Sequence, residues 1–186
     1  MGFRISEGEF GIKLLAPIPC EEYYRLGILY IPKGVMVYES DNDFVTKPHK
    51  CRAEKAIVVD IAAVGALARN EFGIVCSCRF VNGVLRAESL YVTEFGSNRL
   101  VYRQGEIVEP AEAYCMEPYE CDSGIHYYKT PEDLCHSYLG DIVLHGMPSL
   151  EAELIDQEGR KIGKAIQDWF DGVTAYYDSL TDHEEG

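Results

Sequence analysis

Hydrophobic residues over the first 108 positions either alternate with polar ones or form short runs bounded by Gly, Pro and Asn. This pattern is typical of β-strands. We expect strands at 10–18, 27–31, 35–39, 56–63, 73–81, 84–92 and 100–108. The run at 56–63 is apolar throughout, which predicts a strand buried on both faces. Asn82-Gly83 lies between two alternating stretches and predicts a hairpin turn that joins them.

Other stretches lack a clear strand pattern. Residues 64–70 favour one or two helical turns, 40–50 favour a loop, and 107–120 favour an irregular acidic segment with Gly105 as a turn or bulge before it. A further strand is expected at 141–144 and a short helix at 131–138.

The clearest helix is the last element. Ile162, Ile166, Trp169, Val173 and Tyr177 recur at spacings of three and four, which predicts an amphipathic helix over 161–180 followed by an acidic solvated tail at 182–186. We expect Trp169 to be buried against the sheet. The sequence therefore predicts one α+β domain over 1–186, a mostly antiparallel sheet with one long C-terminal helix packed on it.

The segment at 120–134 combines local structural signals with titratable groups. Asp122-Ser123-Gly124 is turn chemistry, 125–129 reads as a strand, and Thr130 with Pro131 starts a helix. Strand alternation places His126 and Tyr128 on one face, which we expect to line a cleft. His126 could act as a general acid or base, or bind zinc with Cys121. The alternative is a partly buried histidine that bonds a backbone carbonyl.

Composition narrows the function classes. The chain has 186 residues, 17 Lys and Arg against 31 Asp and Glu, and a formal charge of −14. This balance argues against direct nucleic-acid binding, which needs clustered cations, and permits docking to a basic protein or simple solubility. No apolar run approaches the roughly 20 residues that cross a bilayer, and no signal peptide is visible, so we expect a soluble cytoplasmic protein with no membrane contact.

Cysteine usage argues against a metal site. Seven cysteines occur without any CxxC spacing, which favours free thiols in a reducing compartment and predicts no metal and no cofactor.

The densest basic cluster surrounds residue 52. Lys50, Arg52 and Lys55 precede a predicted strand and could form an anion site, with Arg52 supplying the bidentate fork. The alternative is a solvated face paired with the acidic surface. Cys51, between two cations, is a weaker candidate nucleophile because no base is identified for it.

These residues together predict one ligand pocket. We expect Arg52, Tyr102, His126 and Tyr128 to line it, with Lys50, Cys51, Cys121 and Glu120 as secondary candidates. The ligand would be small and anionic, plausibly a nucleotide, with a tyrosine stacked on its ring.

Three motifs resemble a known family. In order they are KCRAEKA at 50–56, VYRQGEIV at 101–108, and Glu120-Cys121 with GIHYY at 124–128. Their order is similar to an uncharacterised domain of phages and large DNA viruses that is often joined to pentapeptide repeats. The resemblance covers residues 25–139 and implies a phage or viral origin, and thus a host cytoplasm. The repeats are absent from this chain, and the family brings no known reaction.

A second resemblance concerns the same strand. Gly124-Ile125-His126-Tyr127 is similar to the glycine-isoleucine-tyrosine-phenylalanine segment of ADP-ribosyltransferases, in which an aromatic residue stacks on nicotinamide and a serine supports it. Here His126 takes the aromatic position and Ser137 is the nearby serine, but the family's upstream His-Gly pair is missing.

Three function hypotheses therefore remain open. The first is an accessory protein with a pocket for a small anionic ligand near His126. The second is an acidic interaction protein, either a DNA mimic or an inhibitor of a basic host factor. The third is a nucleotide-dependent enzyme related to the ADP-ribosyltransferases.

Overall fold

A computed structural model describes residues 2–17, 24–40, 50–70, 73–92, 99–118, 123–135 and 152–185. Strands and one long helix fill most of these ranges. The strands are β1 (Gly2–Ile5), β2 (Glu9–Leu15), β3 (Tyr24–Ile31), β4 (Met36–Glu39), β5 (Lys50–Ala53), β6 (Ala56–Asn70), β7 (Gly73–Val81), β8 (Arg86–Val92), β9 (Arg99–Arg103), β10 (Ile107–Val108) and β11 (Ile125–Tyr128). The C-terminal helix is Ala152–Glu185. The α+β fold with a mostly antiparallel sheet is confirmed.

The strands form a sheet in the order β1-β4-β5-β11-β2-β3-β6-β10. Outside this order, β7 also pairs with β6, and β8 pairs with both β2 and β9. One edge of β2 therefore has two partners. β11 pairs with it at Ile12, and β8 pairs with it at Leu15. We call the place between these two pairings, around residue 13, the sheet junction.

Both faces of the sheet are covered. The hairpin-side core lies under β8 and β9 and contains Leu15, Leu29, Val37, Tyr102 and Tyr127, among others. The helix-side core contains Ile12, Ile28, Val64, Ile166 and Trp169, among others. Neighbouring residues of β2 and β3 enter different cores because strand side chains alternate between faces. The central strands are consequently buried on both sides.

The C-terminal helix packs its apolar stripe on the sheet as expected. Trp169 is 7% exposed, and its indole Nε1 donates a hydrogen bond to Asp60 Oδ2 at 2.9 Å. The helix is longer than the periodicity indicated at both ends, and residues 182–185 are helical. Tyr177 is the last aromatic residue of the helix, and its ring contacts those of Phe10 and Tyr30 on the sheet.

Two expectations about connections are wrong. Residues 64–70 are not helical, because β6 continues to Asn70 and pairs with β7. The stretches around Asn82-Gly83 do not form a hairpin, because β7 pairs with β6 whereas β8 pairs with β9. Gly83 does adopt a positive φ of 76°, but the turn passes the chain from one edge of the sheet to another. A turn signal in the sequence specifies the local backbone conformation, but it does not determine which strands pair with each other.

Several boundaries differ from the pattern. β1 and β5 were not expected as strands, and the expected strand at 100–108 is divided into β9 and β10 by a turn at Gly105, whose φ is 83°. Residues 131–135 are helical, and Thr130 Oγ1 caps them by accepting a hydrogen bond from Asp133 N at 3.2 Å. The expected strand at 141–144 lies outside the described residues. In the part of the chain that is described, no helix has the length and apolar character needed to cross a membrane.

Candidate functional site

Arg52 holds an irregular segment of the chain against β5. Its side chain is 1% exposed. Nη1 donates hydrogen bonds to Cys115 O at 2.7 Å and to Ser123 O at 2.8 Å, and Nη2 donates to Glu117 O at 3.0 Å. Three N–H groups of the guanidinium are thus directed at backbone carbonyls of residues 115–123.

Two aromatic rings enclose the same guanidinium. Its central carbon lies 5.2 Å from the Tyr38 ring centroid and 4.9 Å from that of Tyr114. The Tyr114 hydroxyl donates to Arg52 O at 2.8 Å, and a Cβ added at Gly124 would lie 2.3 Å from Arg52 Cγ. The surroundings of Arg52 are therefore filled by the protein itself. The expectation that Arg52 presents its fork to a ligand in an open cleft is not met.

His126 and Tyr128 share the Arg52 face but do not line an open cleft. His126 lies directly across from Arg52 in the β5–β11 pairing, and it is partly buried. Tyr128 is buried in the helix-side core, where it is paired with Ile12. β11 lies inside the sheet, with β5 along one edge and β2 along the other.

Tyr102 belongs to the other side of the sheet. It is buried in the hairpin-side core, and burial raises its phenol pKa above the ordinary value. The structure therefore brings Arg52, His126 and Tyr128 onto one face and places Tyr102 on the opposite face. The four residues do not form the single pocket that the sequence suggested.

Of the secondary candidates, Lys50 is partly exposed on β5, Cys51 is buried beside it, and the other two lie outside the described residues. Cys51 is fully buried, and burial raises the pKa of its thiol to about 11, with further effects from nearby charges. A thiol that stays protonated at neutral pH is a poor nucleophile. Glu120, Cys121 and Ser137 lie outside the described residues. Among the residues that are described, no three His, Cys, Asp or Glu side chains are placed to hold a metal ion.

Lys13 is the residue that the sequence reasoning missed. It lies on β2 at the sheet junction, and its side chain is partly buried. Nζ donates a hydrogen bond to His126 O at 2.9 Å and lies 6.0 Å from the centroid of the Tyr102 ring. The junction thus places an amine beside two of the residues expected in a ligand site, the main chain of His126 and the ring of Tyr102.

The electrostatic state of this amine is unusual. Within the described ranges, no carboxylate lies within 4.0 Å of Lys13 Nζ. Burial, helped by repulsion from Lys50, lowers the pKa of the Lys13 ammonium from its ordinary 10.5 to about 7. Desolvation disfavours the charged form, and a second cation nearby disfavours it further.

Two other cations of the sheet, Arg4 and Lys129, are paired with a carboxylate. Glu39 is buried, its Oε2 accepts from Arg4 Nε at 2.9 Å, and its Oε1 forms an ion pair with Lys129. Burial acts to raise the pKa of the Glu39 carboxyl, but the pairs with Lys129 and Arg4 outweigh it and hold the pKa below its ordinary value. The contrast shows that Lys13 lacks the compensation that this fold provides elsewhere.

A sequence signal for Lys13 did exist. In Phe10-Gly11-Ile12-Lys13-Leu14-Leu15 the residues of both faces are apolar or small apart from this one lysine. A strand that is apolar on both faces is buried on both faces, and lysine is almost never fully buried without a partner. A lone lysine in such a strand therefore indicates either an internal ion pair or a binding site.

Comparison with models of known protein families, with curated proteins and with solved structures finds no match to this chain. The resemblance to the phage and viral domain therefore stays a prediction. The site has to be interpreted from its own geometry.

Proposed function

We propose that the protein binds a small anionic ligand at the sheet junction, beside His126, with Lys13 as the principal cation. The observation that carries the proposal is an amine in a partly buried position with no carboxylate within ion-pair distance among the described residues. We still expect the anionic ligand to bind near His126, but Lys13, rather than Arg52, supplies the principal positive charge.

Energetics support a ligand in this position. Burying a cation without a counter-ion destabilises the folded chain, and an anion bound there would offset part of that cost. Lys50 adds a second positive charge within electrostatic range. The ring of Tyr102 lies next to the amine but is buried in the hairpin-side core, so it is not open to a ligand. These features favour a compact anion such as a carboxylate or phosphate.

The test is a thermal-shift titration with phosphate, citrate and ADP as probes. Anything that binds only the native state raises its melting temperature. We expect at least one of these anions to stabilise the wild type and to have no effect on Lys13→Met beyond that seen with chloride. Lys33→Met, on the exposed turn after β3, is the matched control and should respond like the wild type. Equal shifts in all three proteins would contradict the proposal.

The pH dependence gives an independent check. An anion favours the ammonium form, so its binding is coupled to proton uptake by Lys13 and should tighten as the pH falls through about 7. Affinity that is constant between pH 6 and pH 9 (an interval chosen to span the pKa of about 7) would assign the binding to another cation.

A second candidate function is docking to a basic protein, and the C-terminal helix favours it. After Lys164 the chain has no Lys or Arg, but it has Asp168, Asp171, Asp178, Asp182, Glu184 and Glu185. Two large apolar side chains on the same helix remain exposed, Tyr176 at 67% and Leu180 at 49%. Acidic residues at a helix C-terminus oppose the helix dipole, so the isolated helix gains nothing from this arrangement.

This second candidate is tested with a cationic amphipathic peptide made of Lys and Leu. We expect binding that weakens steeply with salt and that is lost in Tyr176→Ser/Leu180→Ser. Lys164→Ser, on the basic part of the helix, should bind at least as well as the wild type. Binding that persists in the double variant would reduce the interaction to nonspecific charge attraction.

A further inference from the structure

We propose that the C-terminal helix and strand β10 form the two sides of one docking groove, and that its occupant is a basic amphipathic helix of a partner protein. The docking groove consists of Ile57, Ile107, Tyr176 and Leu180. This inference rests on the second candidate function, docking to a basic protein. It goes further in adding part of the sheet to the binding surface and in assigning a helical conformation to the partner.

A row of paired residues crosses the sheet beneath the last turns of the helix. Phe10 pairs with Tyr30, which pairs in turn with Ile57. Ile57 also pairs with Ile107 on β10, the last strand of the sheet order. Residues directly opposite each other in antiparallel strands share a face of the sheet. The ring of Tyr177 contacts those of Phe10 and Tyr30, so the whole row lies on the face that the helix covers.

The helix covers one end of this row and leaves the other end accessible. Phe10, Tyr30 and Ile57 are partly buried, whereas Ile107 is 62% exposed. Neighbouring strands are about 4.8 Å apart, which places Ile107 roughly 10 Å from Tyr30 across the sheet. Ile57 and Ile107 therefore form an apolar strip of sheet beside the helix.

The helix presents an apolar side to this strip. Trp169 faces β6 and β7, because its indole donates to Asp60 and its ring lies 5.4 Å from that of Phe80. Tyr176 follows Trp169 by about two helical turns and so lies on the same side of the helix. Two turns advance about 10 Å along a helix, and three residues advance about 10 Å along a strand. Tyr176 is thus level with Ile57, which precedes Asp60 by that distance on β6.

The stripe that packs on the sheet continues past the point at which the chain covers it. Along the stripe, Ile166 and Trp169 are buried, Val173 is partly buried, and Tyr176 and Leu180 are 67% and 49% exposed. Single exposed apolar side chains are ordinary on a protein surface. Adjoining ones that come from a helix and from the strand beside it mark an interaction site.

Charge favours a basic partner over a second copy of this chain. Glu106 and Glu109 lie on either side of Ile107 in the chain and are exposed, and Asp171 and Asp178 are exposed on the helix. The chain has 17 Lys and Arg against 31 Asp and Glu, a formal charge of −14. A second copy would bring the same excess of carboxylates to the groove. Lys and Arg side chains along the borders of a partner helix would instead be attracted to it.

The dimensions of the groove favour a helix as the occupant. Helices that pack side by side lie about 8–10 Å apart, which matches the roughly 10 Å between Tyr30 and Ile107. A partner helix would lie beside the C-terminal helix, with apolar side chains at spacings of three and four directed at Ile57 and Ile107. An extended strand would gain little, because β10 has only two residues with which to form backbone hydrogen bonds.

The experiment measures the affinity of the intact protein for two fluorescein-labelled peptides by anisotropy. Both peptides have the same composition of Lys and Leu. In one, Leu recurs at helical spacings of three and four, and in the other Lys and Leu alternate, which favours a strand. We expect the helical peptide to bind more tightly, and its binding to weaken as salt is added.

One pair of variants tests the contribution of the sheet. Ile107→Ser should weaken binding of the helical peptide at least about tenfold, since burial of one exposed aliphatic side chain can contribute that much. Ile5→Ser is the matched control. Ile5 is also exposed, at 50%, but it lies on β1 at the opposite end of the sheet order. This variant should bind like the wild type, and equal weakening in both variants would refute the groove.

Photo-crosslinking to the wild type makes the test independent of how the variants fold. A benzophenone on the apolar face of the helical peptide should give adducts both on β10 and on residues 173–180 of the helix. Adducts confined to the helix would refute the contribution of the sheet.

Failure of the inference can be separated from failure of the second candidate function. Binding that depends on Tyr176 and Leu180, but not on Ile107, leaves docking to the helix in place and refutes the groove. Binding that depends on none of these residues refutes both. Equal affinity for the two peptides refutes a helical partner. A dimer of the protein alone that Ile107→Ser dissociates would make a second copy the occupant and overturn the inference.

Discussion

Replacing Lys13 by Met should stabilise the protein near neutral pH, although it removes a hydrogen bond. Met keeps the length of the side chain and eliminates the ionisable group. The pKa of Lys13 falls from 10.5 to about 7 on folding, and one pKa unit corresponds to about 1.4 kcal/mol. The shift therefore represents at most about 5 kcal/mol of destabilisation in the wild type.

The sign and the pH interval follow from linkage. Between pH 7 and pH 10.5 the unfolded chain holds the Lys13 proton more tightly than the folded chain, so the wild type gains stability as the pH rises. Below that interval the full cost is present, and above it the cost disappears. Since the side chain is partly exposed to solvent, we expect Lys13→Met to be more stable by about 1–3 kcal/mol at pH 7. At high pH the gain should vanish or reverse by about 1 kcal/mol, the value of the lost hydrogen bond to His126 O.

The measurement is urea unfolding from pH 6 to pH 11 (a range that brackets both pKa values), followed by the fluorescence of Trp169, which is the single tryptophan. The difference between variant and wild type is the relevant quantity, because the Cys51 and Cys135 thiols titrate in both proteins and their contributions cancel. Burial raises the pKa of both of these thiols to about 11, so they act in the opposite direction to Lys13. A difference that does not change with pH would refute the depressed lysine pKa and weaken the case for the sheet junction as a site.

Three further predictions concern structural contacts. Arg52→Lys should lower stability by about 3 kcal/mol, because a Lys ammonium lacks the planar fork that reaches three carbonyls while it stacks between two rings; an unchanged melting temperature would count against this role. Gly11→Ala should lower the free energy of unfolding by more than about 2 kcal/mol, since its Cβ would lie 2.2 Å from Tyr127 Cδ2. The control Gly163→Ala, whose Cβ meets nothing within 4 Å, should raise it, and urea midpoints that shift in the same direction would contradict the contact. Trp169→Phe should cost about 1–3 kcal/mol by circular dichroism, and an equal midpoint would show that the indole contributes little.

Local physics determined much of this protein from its sequence alone. The spacing of Ile162, Ile166 and Trp169 was enough to predict the helix and the face that it buries, because helical period depends only on neighbouring residues. The turn at Gly105 and the cap at Thr130 were likewise readable, since both depend on the backbone preferences of single residues. The α+β class followed from these elements.

Partner choice was decided by the tertiary structure. Alternation in a strand tells which residues share a face, but it does not tell which strand lies alongside. The sequence therefore suggested a hairpin at Asn82-Gly83, whereas the long β6 strand takes β7 as its partner and leaves β8 to pair with β9 and β2. This choice creates the sheet junction.

The same distinction explains the site residues. The sequence shows that Arg52 can donate several hydrogen bonds from its planar guanidinium. Only folding brings the carbonyls of residues 115, 117 and 123 within hydrogen-bond distance of it. The sequence shows Lys13 as a cation in an apolar strand. Only the tertiary structure buries its amine away from water and places that amine beside His126 O, without a carboxylate partner among the described residues. The charge and hydrogen-bonding capacity of a side chain are properties of the residue. Whether they are satisfied by the protein or left for a ligand depends on contacts between residues far apart in the chain.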